Sequence, residues 1–356
     1  MAYHLEMNSL QYHGAWRNRE VRLRRHPVGA LQVADLEVVD APMPPMRPGG
    51  VLVRNTHLSI DAAVRLRLDP VSPPGYLPAF RVGETLEGLA VGEVLESDVP
   101  GVAVGDLVQH AAGYRSFSVV EPGGAALGGA GSLSVLDRDV APAELHVGLL
   151  GGTGMTAWAG IHAVAQAKAG ETVWVSAAAG AVGSVAAQLA RAHGCRVVGS
   201  AAGDRKLAYL VDVLGLDGAI DRRGDLDAGL AAAAPGGIDV YFDNVGGDHL
   251  RTALDHLRPF GRVAMCGAVG EYDQRGGVAP DNLFLATSKN LTLRGFRAGA
   301  FAERFDEARA LLAALWSAGE VRLDLAVHDG LDSAPAAIVD LLAGRNLGKC
   351  VVRLDP

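Results

Sequence analysis

The chain has 356 residues, 49% of them apolar and 20% charged, and carries a net charge of −8. That length accommodates two domains with sizeable cores, and the acidic balance disfavours nucleic acid or an anionic membrane as a partner. No stretch approaches the ~20 uninterrupted apolar residues of a membrane span. The opening residues lack the charged segment and apolar core of a signal peptide, and Cys195, Cys266 and Cys350 lie far apart, as expected of structural thiols in a reducing cytoplasm.

Residues 1 to 20 are polar and irregular and read as an arm. Val21 to Val39 alternates weakly, as strands do, and Ala41 to Gly50 is a turn region rich in Pro and Gly. Val51 to Ser59 predicts a strand. Residues 60 to 80 carry Pro70, Pro73, Pro74 and Pro78 and read as a loop or lid. Strand-and-turn segments follow at Gly88–Glu96 and Gly105–Val108, and residues 121 to 132 form a low-complexity loop. The first ~140 residues therefore read as all-β and barrel-like. From Glu144 strands and helices alternate, with strands near 172–176, 195–199, 218–221, 238–243, 260–266 and 289–295. Six such strands complete one doubly wound sheet. A helix over Glu303 to Ala318, short strands and a helix near 334–343 follow, and Gly344 to Leu354 ends in a strand predicted to return to the first domain. The domains then read as 1–143, 144–312 and a return segment 313–356.

Ala169 to Ser200 organises the second half. Val173, Trp174 and Val175 mark a short buried strand, Ala177 to Gly183 is a run of small residues, and Val182, Val185, Ala186, Leu189 and Ala190 have the spacing of one helix face. A strand, a glycine turn, a helix and a second strand begin a dinucleotide fold. A pyrophosphate has to approach free backbone N–H groups at the helix N-terminus, which Gly180 permits, while Gly183 lets the helix lie close to the strand. Ala179, Ala181 and Val182 complete the turn. The first glycine of the usual motif is Ala177 here, and a plain crossover helix is the alternative.

The second strand ends over Val198 to Ala202 with no carboxylate to bond an adenine-ribose 2′-OH; Asp204 follows, but so do Arg205 and Lys206, and Arg222 and Arg223 follow the third predicted strand. Cations without a carboxylate suit a 2′-phosphate, so the cofactor reads as NADP(H). An ordinary exposed first helical turn is the alternative for Arg205 and Lys206.

Several further blocks carry a resemblance: Gly154-Met155-Thr156-Ala157-Trp158, Glu171 to Gly183, Gly194 to Gly199, Tyr241 to Gly247, Gly261 to Ala268 and Asn346-Leu347-Gly348-Lys349. Over nearly its whole length the chain resembles the medium-chain dehydrogenase/reductase superfamily. It looks most like the zinc-free branch of leukotriene B4 12-hydroxydehydrogenase/prostaglandin reductase and the alkenal double-bond reductases. That resemblance implies an α/β fold with a doubly wound parallel Rossmann sheet plus a GroES-like β-barrel catalytic domain. Glu84 occupies the place of a histidine ligand in the zinc-dependent relatives, and three scattered cysteines cannot supply a four-cysteine site; the chain reads as metal-free.

The resemblance also assigns roles. It implies NADP(H) contacts from Met155, Thr156, Ala179, Gly180, Ala181, Val182, Gly183, Ser200, Lys206, Arg222, Asn244, Cys266, Gly267, Ala268, Tyr272, Phe296 and Asn346. Arg222 stands where relatives often have a phosphate-binding tyrosine. Asn244 and Asn346 have ordinary turn roles as alternatives. Tyr272 is the candidate catalytic phenol, able to hold a substrate carbonyl as an enolate develops, with a half-buried anchor as the alternative. Relatives carry D-P-Y-M-R where this chain has Asp61-Ala62-Ala63-Val64-Arg65, so a pocket phenol is missing. Asp61 and Tyr76 are candidates for the pocket, Tyr114 for pocket or core, and Arg65 reads as structural. The resemblance implies NADPH-dependent reduction of an enone or enal C=C bond. Rivals are a quinone oxidoreductase or allylic-alcohol dehydrogenase of the same fold, and a non-catalytic NADPH-binding protein. It also implies a homodimer through the sheet edge near 289–295.

Overall fold

The structure is a computed structural model that describes residues 16–123, 133–273 and 279–354. Most of the expected N-terminal arm, and residues 124–132 of the low-complexity loop, lie outside those residues. Two sheets carry the fold, with a separate hairpin. The hairpin pairs β1 (Asn18–Leu23) with β2 (Leu36–Ala41). The mixed sheet contains β3 (Val51–Ser59), β4 (Ala90–Ser97), β5 (Leu107–His110), β6 (Phe117–Val120) and β7 (Leu133–Leu136). The parallel sheet contains β8 (Thr172–Val175), β9 (Arg196–Ala201), β10 (Gly218–Asp221), β11 (Ile238–Asp243), β12 (Leu257–Met265) and β13 (Thr292–Gly295). β14 (Leu325–Asp329) and β15 (Lys349–Arg353) then rejoin the mixed sheet, whose order is β14-β15-β3-β4-β5-β7.

The parallel sheet has the order β10-β9-β8-β11-β12-β13. The order reverses between β8 and β11, and in such sheets ligands bind in the crevice beyond the carboxyl ends at that point. β8 is buried along its whole length because helices cover both faces. Val173 and Val175 enter one core with Val185, Ala186 and Leu189 of the helix Ala181–Ala192. Trp174 enters the opposite core with Tyr241, Leu250 and Leu254. Burying side chains of this size stabilises by roughly 1.5–3 kcal/mol each.

β3 is the spine of the mixed sheet. Its first half pairs with β6, its last three residues with β15, and its whole length with β4. One long strand with two successive neighbours on one edge curls the sheet towards a barrel. Tyr114 and Phe80 sit in its core with Leu58, Ile60 and Leu68.

The segment after β3 differs from the expected loop. Ala62–Val64 is a 3-10 turn and Arg65–Leu68 a short α-helix. Residues 61 to 69 contain no proline, and Val64 and Leu68, four apart, are both buried. Asp69 then takes extended angles before Pro70, as a residue preceding proline must. The helix expected from Glu303 begins at Phe305, after a kinked 3-10 stretch over Ala298–Arg304.

Candidate active site

The glycine turn lies at the carboxyl end of β8. Ala177, where the motif lacks its first glycine, has φ of 48°, a left-handed angle that costs about 1–2 kcal/mol in a residue with a Cβ. Its carbonyl accepts the Gly180 N–H at 2.9 Å. A Cβ on Gly183 would run into the Ala177 carbonyl oxygen, so this position tolerates only glycine without backbone movement. The helix Ala181–Ala192 starts at Gly180, and no side chain caps it. Its first N–H groups, from Ala181, Val182 and Gly183, have no intrahelical acceptor and present partial positive charge. Ala178 donates its N–H to the Ser200 carbonyl at 2.9 Å, which binds the turn to the end of β9.

A small cavity adjoins the turn, lined by Ala202, Gly203, Asp204, Arg205, Lys206, Arg345 and Leu347. Lys206 Nζ donates to the Gly344 carbonyl at 2.8 Å. Burial, and after it the neighbouring Arg222 and Arg205 guanidinium groups, hold the Lys206 ammonium below the usual lysine range. Asp204 stands on the same rim, its carboxylate 3.7 Å from Arg223, which is itself paired with Asp221 at 2.5 Å. Three neighbouring cations favour an anion between them. The C-terminal return closes this side of the crevice. Gly348 donates its N–H to Ala179 O at 2.8 Å, and Asn346 Nδ2 donates to Gly348 O at 2.9 Å. Asn346 therefore braces the turn that docks on the glycine loop. Arg345 and Leu347 in this cavity were not among the expected site residues; both adjoin Asn346, and Leu347 lies within the same motif block, which was the available signal.

Across the switch point, Asn244 donates its N–H to Ser176 Oγ at 2.9 Å and its Nδ2 to Ser176 O at 2.7 Å. This ties the ends of β8 and β11 together. Cys266 and Gly267 donate their N–H groups to Asp243 O at 2.8 and 3.1 Å. Burial, then the Asp243 charge, pushes the Cys266 thiol up to about 12, so it is an inert thiol at neutral pH. The Tyr272 hydroxyl lies over Gly267, where a Cβ would come within 2.9 Å of it, and accepts a long 3.4 Å hydrogen bond from Ala268 N–H. Burial pushes this phenol up to about 12, so it remains a protonated donor at neutral pH.

Tyr76 enters the same cleft from the proline-rich segment. Its phenol is raised mainly by burial and next by Asp61, and it interacts with Cys266 and Tyr272. Asp61 is held by Lys349, whose Nζ also donates to Ile60 O at 2.6 Å and whose side chain is fully buried. Other expected positions lie deeper. Tyr114 is 2% exposed with φ of 59°, its ring filling the space left by Gly88, and belongs to the barrel core. Met155 and Ala179 are core residues, while Thr156 is half-buried and spends its hydroxyl on Gly152 O at 2.7 Å. Ser200 Oγ is buried without a partner among the described residues. Phe296 packs edge-on against Phe242 at 6.2 Å, over Gly160.

His110 and His57, the histidines closest to a possible metal role, are otherwise engaged. His110 bonds Asn55 Oδ1 at 2.8 Å and accepts the Ala112 N–H at 3.1 Å, and His57 lies 3.6 Å from Glu144. Among the described residues no group of three or more His, Cys, Asp or Glu side chains gathers as a metal site would require.

Two family models match the chain. One, described as the N-terminal domain of oxidoreductase, covers residues 19–127. The other, described as zinc-binding dehydrogenase, covers residues 181–314, which hold every strand of the parallel sheet except β8. The chain is 36% identical to the 2-alkenal reductase (NADP(+)-dependent) of Nicotiana tabacum, over 95% of this chain and 98% of that one. It is 33% identical to prostaglandin reductase 1 of Bos taurus, over 93% and 97%. The crystal structure of CurA from Vibrio vulnificus in complex with NADPH superposes with a TM-score of 0.87 at 29% identity, covering 95% of this chain and 99% of that one. With both halves matched and relatives aligned almost end to end, the chain belongs to the medium-chain dehydrogenase/reductase superfamily, in its zinc-free branch of alkenal and prostaglandin reductases.

Proposed function

We propose that this protein is an NADPH-dependent ene-reductase acting on α,β-unsaturated ketones or aldehydes. The observation that carries the reading is the protonated Tyr272 phenol at the carboxyl end of β12, in a cleft that Tyr76 enters from the barrel side. The names of the alkenal and prostaglandin reductase relatives support the same chemistry.

The residues present fit the cofactor. The uncapped helix start at Gly180 suits a pyrophosphate, and the Lys206, Arg205 and Arg222 cluster suits a 2′-phosphate. When bound, NADPH supplies a hydride for the substrate β-carbon. Tyr272 donates its hydroxyl proton in a hydrogen bond to the substrate carbonyl oxygen and stabilises the negative charge that grows there. A proton from solvent or a phenol then adds to the α-carbon, so the C=C bond is lost and the carbonyl is restored. The Cys266-Gly267-Ala268 backbone would form one wall of the nicotinamide site. The cleft lacks the usual pocket phenol at Ala63, and Tyr76 takes over that wall.

The test is loss of nicotinamide absorbance with a panel of enones, enals and quinones, comparing NADPH with NADH. Turnover of enones with NADPH preferred, and a saturated product by mass spectrometry, is the expected result. Turnover of quinones alone would move the assignment to quinone reduction, and cofactor binding with no turnover across the panel would overturn it. Tyr272→Phe should lower kcat roughly 100- to 1000-fold, since it removes one oxyanion donor. A homodimer through β13, the outer strand of the parallel sheet, belongs to the same reading. Sizing chromatography giving a monomer mass would exclude it.

A further inference from the structure

Two phenols reach this cleft from elements with no shared local structure. Tyr272 sits in the loop after β12, and Tyr76 in the proline-rich segment after the helical turn Arg65–Leu68. Both are fastened to that one turn by buried arginines. Arg67 donates Nε to Pro78 O at 2.8 Å and Nη2 to Glu87 at 3.1 Å, with its guanidinium 3.8 Å above the Phe80 ring. Arg65, whose side chain is 3% exposed, donates Nε to Asp273 Oδ1 at 2.8 Å and Nη1 to Asp69 at 3.0 Å. Its Nη2 donates to Gly29 O at 3.0 Å.

Asp273 directly follows Tyr272 and is 208 residues from Arg65. The ion pair therefore joins the mixed sheet's helical turn to the loop that ends the parallel sheet's strand. On its own side the same loop is held by Glu271, which accepts the Gly247 N–H at 3.0 Å. With Val269 and Gly270 N–H also bonded to Asn244 O and Val245 O, the loop's fastenings on its own side all come from the parallel-sheet domain, and the Asp273 ion pair adds one from the other domain that fixes where the phenol stands against the barrel. Only a guanidinium can serve three acceptors in three directions with one planar fork, which a lysine cannot reproduce.

We propose that Arg65 is a positioning residue, whose ion pair with Asp273 sets the place of the Tyr272 phenol relative to the barrel wall that carries Asp61 and Tyr76. This rests on the reading of Tyr272 given above. Its action is on the transition state, through the distance from phenol to substrate oxygen, and small displacements there are costly.

The test is a double-mutant cycle of Asp273→Asn with Tyr272→Phe, with Arg65→Lys as a second probe that keeps the charge. Asp273→Asn retains the Arg65–Asp69 pair and so leaves the turn folded. Expected are a kcat roughly 10-fold lower or less in Asp273→Asn and Arg65→Lys, a KM and NADPH Kd within about twofold, and an effect of Asp273→Asn that falls below about twofold once Tyr272 is Phe. An equal loss in both backgrounds, or no loss in either, overturns the positioning role and leaves the ene-reductase reading standing. If Tyr272→Phe is as active as the parent, the phenol has no role and the proposal falls with it. If the parent reduces no enone, the functional reading fails by itself. The strut is then decided by hydrogen exchange of the Gly270 and Glu271 amides, which are bonded to Val245 O and Ala268 O at 3.2 and 2.8 Å. Faster exchange in Asp273→Asn supports the strut, and unchanged exchange overturns it.

Discussion

Lys206 illustrates how one side chain answers to its neighbours. Beside Arg205 and Arg222 it is a penalised cation, and a bound 2′-phosphate reverses that penalty. Lys206→Met is therefore expected to weaken NADPH binding about 10- to 100-fold, the worth of one charge-assisted hydrogen bond, and to change NADH binding less than about threefold. Titration with each nucleotide, followed by tryptophan fluorescence, checks it. Two buried histidines act on stability instead. Burial, then Arg115, lowers His110 to about 3, and burial, then Arg222, lowers His249 to about 4, against an ordinary value of 6.5. Both are neutral in the folded protein; His110 shows why, since its Nδ1 accepts the Ala112 N–H. Between pH 6.5 and about 4 the unfolded chain binds protons that the folded chain refuses. Stability is therefore full above that window and falls as pH drops through it, by up to about 1.4 kcal/mol per pH unit for each histidine. Urea titrations from pH 7 to 5 should show the fall. His249→Phe, which keeps an aromatic ring against Trp174, should make it shallower.

The glycine turn is an element whose parts constrain one another. Ala177 bends into a left-handed angle, its carbonyl turns towards Gly180, and Gly183 must then have no side chain. Gly183→Ala should lower stability by about 1–3 kcal/mol, the cost of overpacking a site that cannot relax, and weaken NADPH binding, because the helix start must move. Ala177→Gly relaxes the strained angle and should leave stability unchanged or raise it by up to about 1 kcal/mol, the relief being offset by extra freedom in the unfolded chain. Differential scanning calorimetry of the two variants separates these outcomes. The helical turn Arg65–Leu68 is the counterpart on the barrel side. The four prolines that follow it closely give the segment the look of a loop, yet residues 61 to 69 hold none, and two buried apolar residues one turn apart suffice to fold it.

The whole molecule places the crevice between the glycine turn and the C-terminal return, which Lys206–Gly344 and Gly348–Ala179 bonds already close on one side. A ligand there touches both halves, so NADPH at 100 times its Kd should raise unfolding free energy by about 2.7 kcal/mol, seen as a higher melting temperature, with NADH at equal concentration giving less. The second half of the chain was largely legible in advance. β8 and β11 are buried on both faces, so they read as largely continuous apolar runs, and the glycine turn between β8 and its helix is a local pattern. Arg205 and Lys206 of the cavity beside the glycine turn were legible for the same reason, being near in sequence to the end of β9, whereas Arg345 reaches it from the C-terminal return. What periodicity could not reveal are meetings of distant segments: Arg65 with Asp273, Tyr76 with Tyr272, Lys206 with Gly344, and β3 with three partners at once. A side chain's spacing along its own strand or helix reports which face is buried, and that is a local property of the chain. Which distant residue it then meets depends on how two separate sheets dock, and that arrangement exists only in the assembled tertiary structure.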